Sequence, residues 1–340
     1  MKAAGMKTDK SDILTLLRNS ADYVSGQQLC DQFGVSRTAV WKVINQLKEE
    51  GYQIESVPRK GYRLVESPAD ILSKSEIASR LHTKWAGRKL YYVDSTGSTN
   101  TDAKRYAEEG EPHGTTVVAD MQTAGKGRRG RKWESPSGIN AYFTILLKPS
   151  FAPDKASMLT LVMALAVAEA IEEVTALPAG IKWPNDIVIN KKKVVGMLTE
   201  MSTTPEMDEI QYVVVGVGIN VNMGSAEEFP EEIRQTATSL KLESGRQINR
   251  AVLIEHILTR FEHNYERFEQ TLDLSGLMDA YQRRLVNVGA QVRVLDPAGE
   301  YVGISRGINQ TGELIVERED GSVTNVYAGE VSVRGIYGYV

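Results

Sequence analysis

Apolar residues recur at helical spacing up to Gly51. Past a proline-containing break at Glu66-Ser-Pro-Ala-Asp70 they give way to short strand-like runs with few helices between them. A chain patterned in this way has to combine a small helical unit with a later sheet. Its 340 residues agree, because a single domain typically takes ~100–200.

In the helical part, Ile13, Leu14, Leu16 and Leu17 share a face within Asp12–Arg18. Ser25, with Gln28 three residues on, marks the start of a second helix that runs through Leu29 and Phe33 and stops at Gly34. Ser36 caps a third, whose Val40, Ile44 and Leu47 recur at helical spacing before Gly51 ends it. Two short helices joined by Gly34-Val35 make a helix-turn-helix. Tyr52–Ser56 then alternates as a strand, Pro58-Arg-Lys-Gly61 is a turn, and Tyr62–Leu64 returns, giving a wing with two cations at its tip.

Residues 36–63 hold six cations against three carboxylates, in a chain whose net charge is −4. The acidic whole argues against a histone-like binder, while the local excess points to a DNA-reading patch. A recognition helix reads base edges near its N-terminus and a basic wing touches phosphates. Ser25, Ser36, Arg37, Thr38, Lys42, Asn45, Arg59 and Lys60 are the expected DNA-facing set. Trp41 is expected to pack or to touch backbone rather than read a base, and Cys30 to be inert core.

Ser73 and Glu76 form a capping pair for a helix to Leu81. Strands are expected at 89–93, 115–119, 139–147, 180–183, 187–189, 194–199 and 211–217, with helices at 100–109, 154–174, 250–268 and 274–285. Strand-rich runs with few helices indicate α+β rather than alternating α/β. After Asn287, five short strands at 291–295, 302–307, 314–317, 323–327 and 331–336 suggest a small β-barrel. The expected fold is multidomain α+β, divided at 1–66, 67–286 and 287–340.

Cys30 is the sole cysteine, which excludes an internal disulfide framework and any multi-cysteine metal site. The four histidines (His82, His113, His256, His263) show no ligand spacing, so no structural metal is expected. Met1–Lys10 lacks the apolar core of a signal peptide, and the longest apolar run, Met158–Ala168, is too short to span a bilayer. A soluble, cytoplasmic chain with no membrane partner is the expectation.

The densest chemical signal is Gln122-Thr-Ala-Gly-Lys-Gly-Arg-Arg-Gly-Arg-Lys-Trp133, which carries five cations and no acid. Its glycines bring backbone N–H groups close to a ligand while the cations neutralise phosphate or carboxylate. They also match G-x-G-x-x-G, but Trp133-Glu-Ser-Pro-Ser-Gly138 is loop where a dinucleotide fingerprint needs a helix. Nor is it a Walker A loop, since Gly127 follows Lys126. Asp94-Ser-Thr-Gly-Ser-Thr-Asn100 follows a strand and offers short hydroxyl and amide groups to a small polar heterocycle. Lys182-Trp-Pro-Asn-Asp186 joins two strands, and Lys193-Val-Val-Gly196 opens the next with one ammonium beside a glycine.

Together these segments resemble the biotin protein ligases, and with the winged helix the chain resembles their bifunctional kind, ligase and biotin-operon repressor in one. The resemblance covers essentially the whole sequence. It implies a central α+β ligase domain and an SH3-like C-terminal barrel. It places Ser98, Thr99, Asn100 and Gln122 against the biotin ring system. Gly125, Lys126, Gly127 and Arg128 would hold biotin and its adenylate, Trp133 would pack on adenine, Asn220 would lie near the nucleotide, and Gly196 would belong to the same binding set. Lys193 and Arg128 would act in catalysis, and Asp186 would orient or deprotonate the incoming amine. Lys126 stands where the family commonly has arginine; it keeps the charge and loses the bidentate fork. The implied substrates are biotin and ATP, with magnesium. The implied partners are a biotin carboxyl carrier protein, operator DNA and a second copy in a ligand-promoted homodimer. Arg334 is a further candidate for a contact to ATP or acceptor. A biotin-sensing repressor without transfer and a lipoate–protein ligase are the alternatives; an intact Lys193 counts against the first and the Gly125–Trp133 loop against the second.

Overall fold

Helical capping fixes the first unit. The structure, a computed structural model, describes residues 9–204, 209–296 and 299–327, and the backbone of 332–335. Residues 1–8 of the polar Met1–Lys10 stretch lie outside these residues. Helices α1 (Lys10–Asn19), α2 (Gly26–Phe33) and α3 (Arg37–Glu49) are followed by strands β1 (Gln53–Val57) and β2 (Gly61–Glu66). The Ser25 hydroxyl accepts from Gln28 N and that of Ser36 from Ala39 N, so both serines start helices as read. Leu14, Leu29, Ile44 and Leu47 close the core between the helices. The wing is stitched back by two backbone bonds between Val24 and Tyr62, at 2.8 and 2.9 Å. Only glycine permits that approach: a Cβ at Gly61 would lie 2.0 Å from the Val24 carbonyl oxygen.

The compact units are cut differently from the expected domains. The first runs on through α4 (Lys74–Ala78) to Leu81 and takes in 249–255; the second holds 82–248 and 256–340. Glu76 explains the first difference. Its carboxylate does not turn back on its own helix start but lies fully buried against Arg18, Arg80 and the Tyr52 hydroxyl, at 2.8, 2.6 and 2.5 Å. Arg250 adds a buried ion pair to Asp70 at 2.9 Å.

In the second unit come β3 (Leu90–Thr96), α5 (Thr99–Glu108), β4 (Thr116–Gln122), β5 (Ala141–Leu147), α6 (Met158–Thr175), β6 (Gly180–Lys182), β7 (Asp186–Ile189), β8 (Lys192–Thr204) and β9 (Glu209–Ile219). They build one seven-stranded mixed sheet, β3-β4-β5-β9-β8-β7-β6, in which only β3 and β4 run parallel. Paired residues share a face, so Gly218 lies between Tyr142 and Gly196, and Gly216 between Thr144 and Leu198. Strand β7 covers β8 only as far as Gly196. Among the described residues, no strand pairs with the outer edge of β8 from Thr199 to Thr204.

Helices α7 (Leu240–Ser244), α8 (Arg250–Thr271) and α9 (Met278–Gln282) follow. The helix expected over 274–285 shrinks to α9 because tertiary bonds claim its ends. Leu274 N donates to Gln310 O, and Arg284 O and Val286 N pair with Ile181. Strands β10 (Gln291–Leu295), β11 (Tyr301–Ile308), β12 (Leu314–Glu317), β13 (Val323–Val326) and β14 (Ser332–Gly335) form a five-stranded antiparallel sheet ordered β13-β12-β11-β10-β14. Trp183 ties it to the larger sheet, its Nε1 donating to Gly312 O at 2.9 Å and its N to Asn287 Oδ1 at 3.2 Å. Arg334 stands in β14 opposite Arg293, and its side chain lies outside the described residues. Among the described residues no helix is long and apolar enough to cross a membrane.

Candidate functional site

A cavity of about 870 Å³ opens on the face of the large sheet that carries Gly196, Leu198, Gly216 and Gly218. All the expected ligase residues except Gly125 line it: Ser98, Thr99, Asn100, Gln122, Lys126, Gly127, Arg128, Trp133, Asp186, Lys193, Gly196 and Asn220.

One end is a neutral cradle at the N-terminus of α5. Thr99 donates from both N and Oγ1 to Gln122 Oε1, at 2.9 and 3.1 Å, and Gln122 Nε2 donates to Ser135 Oγ at 3.1 Å. Thr144 Oγ1 lies 2.7 Å from Asn100 Oδ1 and 2.8 Å from Thr99 Oγ1. Asn100 Nδ2 donates to Leu198 O and to Glu200 Oε2, at 3.2 and 2.8 Å. Lys104 Nζ holds the other oxygen of Glu200 at 2.5 Å. Burial acts to raise the Glu200 carboxyl, but the bonds from Lys104 and Asn100 and the charges of Lys104 and Lys126 outweigh it, leaving it below the usual range. Ser98 occupies the cap position of α5 without making a capping bond, so its buried hydroxyl is available to the cavity.

The other end is cationic. Seven Lys and Arg side chains line the cavity against three carboxylates, a balance suited to phosphate. Lys193 Nζ is 2.6 Å from Asp186 Oδ1 and 5.3 Å from the centre of the Trp133 ring. Arg128 reaches Asn185 Oδ1 at 3.2 Å. Burial pulls the Arg128 guanidinium below its ordinary value and Asp186 pulls the other way. Trp133 lies on bare backbone: a Cβ at Gly218 would sit 2.6 Å from its Nε1, and one at Gly196 2.8 Å from its ring. The indole Nε1 is buried there without a partner. The loop itself closes through an antiparallel bridge between Lys126 and Lys132, with a short 3₁₀ turn at Arg128–Gly130 and no helix after it.

The first unit carries the second candidate site. Arg37, Thr38 and Lys42 are exposed on α3 and Asn45 is half-buried; Arg59 and Lys60 stand exposed at the wing tip. Arg37 donates to Gln27 Oε1, and Arg63 is paired with Glu55 at 2.8 Å. Among the described residues Lys42 and Arg59 have no carboxylate partner.

Comparison with known proteins joins the two sites. Residues 10–63 match the HTH domain, 91–220 the biotin/lipoate A/B protein ligase family, and 288–334 the biotin protein ligase C-terminal domain. The bifunctional ligase/repressor BirA of Bacillus spizizenii is 40% identical over 96% of this chain and 99% of its own. The chain belongs to the bifunctional ligase/repressor family. Its Escherichia coli member is 32% identical over 95% of this chain and 96% of its own. A solved biotin protein ligase from Aquifex aeolicus in complex with biotin and ATP is 33% identical over 73% of this chain and 99% of that one, with a TM-score of 0.63.

Within this ligase/repressor, one expected residue lies outside the cavity lining and others are partly committed to the fold. Gly125 does not line the cavity. It lets two segments meet, since a Cβ there would lie 2.4 Å from Trp133 O. Asn100 lines the cavity but commits both amide hydrogens internally, which leaves a substrate only the second lone pair of Oδ1. Asn220 spends its amide on Thr238 O, at 3.1 Å, fixing the segment beside Lys193. Ser25 and Ser36 use their hydroxyl oxygens as helix caps, as their spacing indicated. Sequence reasoning missed Thr144, Glu200, Gly216 and Gly218. The two glycines did leave a signal, because glycines at period two inside a strand mark a close approach.

Proposed function

We propose that the chain is an ATP-dependent biotin protein ligase, residues 67–286 forming its catalytic domain and 287–340 an SH3-like domain. Residues 1–66 make it a DNA-binding repressor of biotin synthesis genes. One observation carries the reading: a neutral hydroxyl–amide cradle and a cationic glycine-rich loop face each other across a single cavity, matching a vitamin ring at one end and a nucleotide phosphate at the other.

Biotin's carboxylate oxygen bonds to the α-phosphorus of ATP as the bond to pyrophosphate breaks, giving biotinyl-5′-AMP. Charge grows on phosphoryl oxygens, where Arg128 and Lys193 stabilise it. To do so, Lys193 turns from Asp186 to the phosphate. Asp186 then orients the acceptor lysine and takes its proton as the amine bonds to the acyl carbon and AMP leaves. Trp133 offers its face to adenine. Among the described residues no cluster of three His, Cys, Asp or Glu stands ready for a metal ion. Magnesium typically rides on substrate phosphates with one or two protein carboxylates, and Asp186 fits that share. When bound, it neutralises phosphate charge.

The acceptor is a lysine of a biotin carboxyl carrier protein, and repression works through a ligand-promoted homodimer. Transfer of labelled biotin to a carrier protein tests the reading. Lys193→Ala is expected to lower kcat about 100- to 1000-fold, the usual loss for one stabilising donor. Labelling with lipoate and not with biotin, or no labelling at all, would overturn the ligase assignment.

A further inference from the structure

The recognition helix carries an aromatic side chain that the reading above leaves without a role. Trp41 is 56% exposed, whereas Val40 and Ile44 on the same helix are 1% exposed. Thr38, Trp41, Lys42 and Asn45 fall at i, i+3, i+4 and i+7, so they share the face turned away from the core. Of the two roles expected of Trp41, packing within the fold is not met; a contact to DNA backbone is the alternative that the test below separates. Leaving an indole in water forgoes apolar burial; what gives this one a role is its place on the helix face beside Thr38, Lys42 and Asn45. Cations belong to the same unit: Lys42 follows Trp41 directly on α3 and Arg59 stands at the wing tip, both exposed and without a carboxylate partner among the described residues.

A partner that meets apolar surface between cations is a DNA major groove. Phosphates flank it, and the thymine C5-methyl is its apolar recognition element. An uncharged indole gains little from phosphate, which favours the base over the backbone. We propose that Trp41 is a sequence-reading residue, its ring packed on a thymine methyl in the major groove while Lys42 and Arg59 engage the flanking phosphates. The inference rests on the DNA-binding reading and adds the base it recognises.

Selection from a randomised duplex library by the full chain, with biotin and ATP present, supplies the test DNA. Thymines of the selected duplex are then replaced singly by uracil, which removes only the methyl. With the unaltered chain, one or two such positions per half-site should weaken binding roughly five- to tenfold, within the usual cost of a wrong base pair. Trp41→Ala should bind the selected duplex that much more weakly and lose its sensitivity to uracil there. Its affinity for random DNA and its salt slope should stay unchanged, and Trp41→Phe should keep the sensitivity. Indifference of the unaltered chain to every uracil would overturn the proposal, whatever the variants do. Equal losses by Trp41→Ala on selected and random DNA would make Trp41 a backbone contact. A change of association state without DNA would make it a protein contact. Failure of the unaltered chain to enrich any duplex would reject the DNA-binding reading instead.

Discussion

Asn100 shows how one side chain can serve a ligand site by being immobile. Its amide is held from three sides by Thr144, the Leu198 carbonyl and Glu200, and it fits only because position 216 lacks a Cβ, which would lie 2.0 Å from Oδ1. Glu200 is the charged member of this set, and its lowered carboxyl gives the arrangement a pH dependence. A group depressed in the folded chain lends its stabilisation in full above its unfolded value, ~4.3, and loses it as pH falls through the folded one. The difference in Tm between the wild-type chain and Glu200→Gln should thus be largest near neutral pH and vanish on acidification, since a protonated glutamate resembles glutamine. The same variant should raise the KM for biotin about tenfold, as expected when a hydrogen bond to a charged group is weakened. A Tm gap that widens in acid would refute this role.

At the scale of elements, helices and strands with their own punctuation were legible. Ser25, Ser36 and Ser73 each cap a helix where expected, and Gly34 stops one. Elements governed by distant partners were not. The 274–285 segment has helical periodicity, yet Leu274 N goes to Gln310 and residues 284–286 pair with Ile181, so only α9 remains. The cavity divides the same way. The cationic loop announced itself through composition, whereas Glu200, a hundred positions from Asn100, becomes a neighbour only when the sheet brings β8 under α5. Helix α4 is the sharpest case, because the capping signature at Glu76 was present and its carboxylate serves the fold instead. Glu76→Ala should leave Arg18 and Arg80 partly buried without their counter-charge and destabilise the first unit by about 3–5 kcal/mol. Chemical denaturation of the full chain followed by hydrogen exchange in residues 10–81 measures it; a loss below ~1 kcal/mol would mean that water replaces the pair.

For the molecule as a whole, the outer edge of β8 is the feature that pairing with a second copy would use, since among the described residues no strand lies on it. Unpaired strand edges are templates for another strand, and native chains usually shorten, charge or cover them. From Thr199 to Thr204 this edge carries Thr199, Glu200, Met201, Ser202, Thr203 and Thr204, and Glu200 is already engaged by Lys104, so little charge guards it. A second copy meeting it about a two-fold axis would extend the sheet and present two winged helices, as paired half-sites require. The edge adjoins the cavity: Leu198 and Asn185 line the site and Asn185 is bonded to Met197 where the edge begins. Filling the cavity therefore steadies the start of the strand that would pair. Sedimentation should show biotin and ATP together shifting the chain from monomer to dimer. Met201→Arg, at a position 43% exposed, should hold it monomeric. That variant should lose most of its affinity for a duplex with two half-sites and little for a single one, because linkage multiplies the two weak contacts. A monomer that persists at saturating biotin and ATP with operator DNA present, or a Met201→Arg dimer as tight as wild type, would remove this edge from the account of repression.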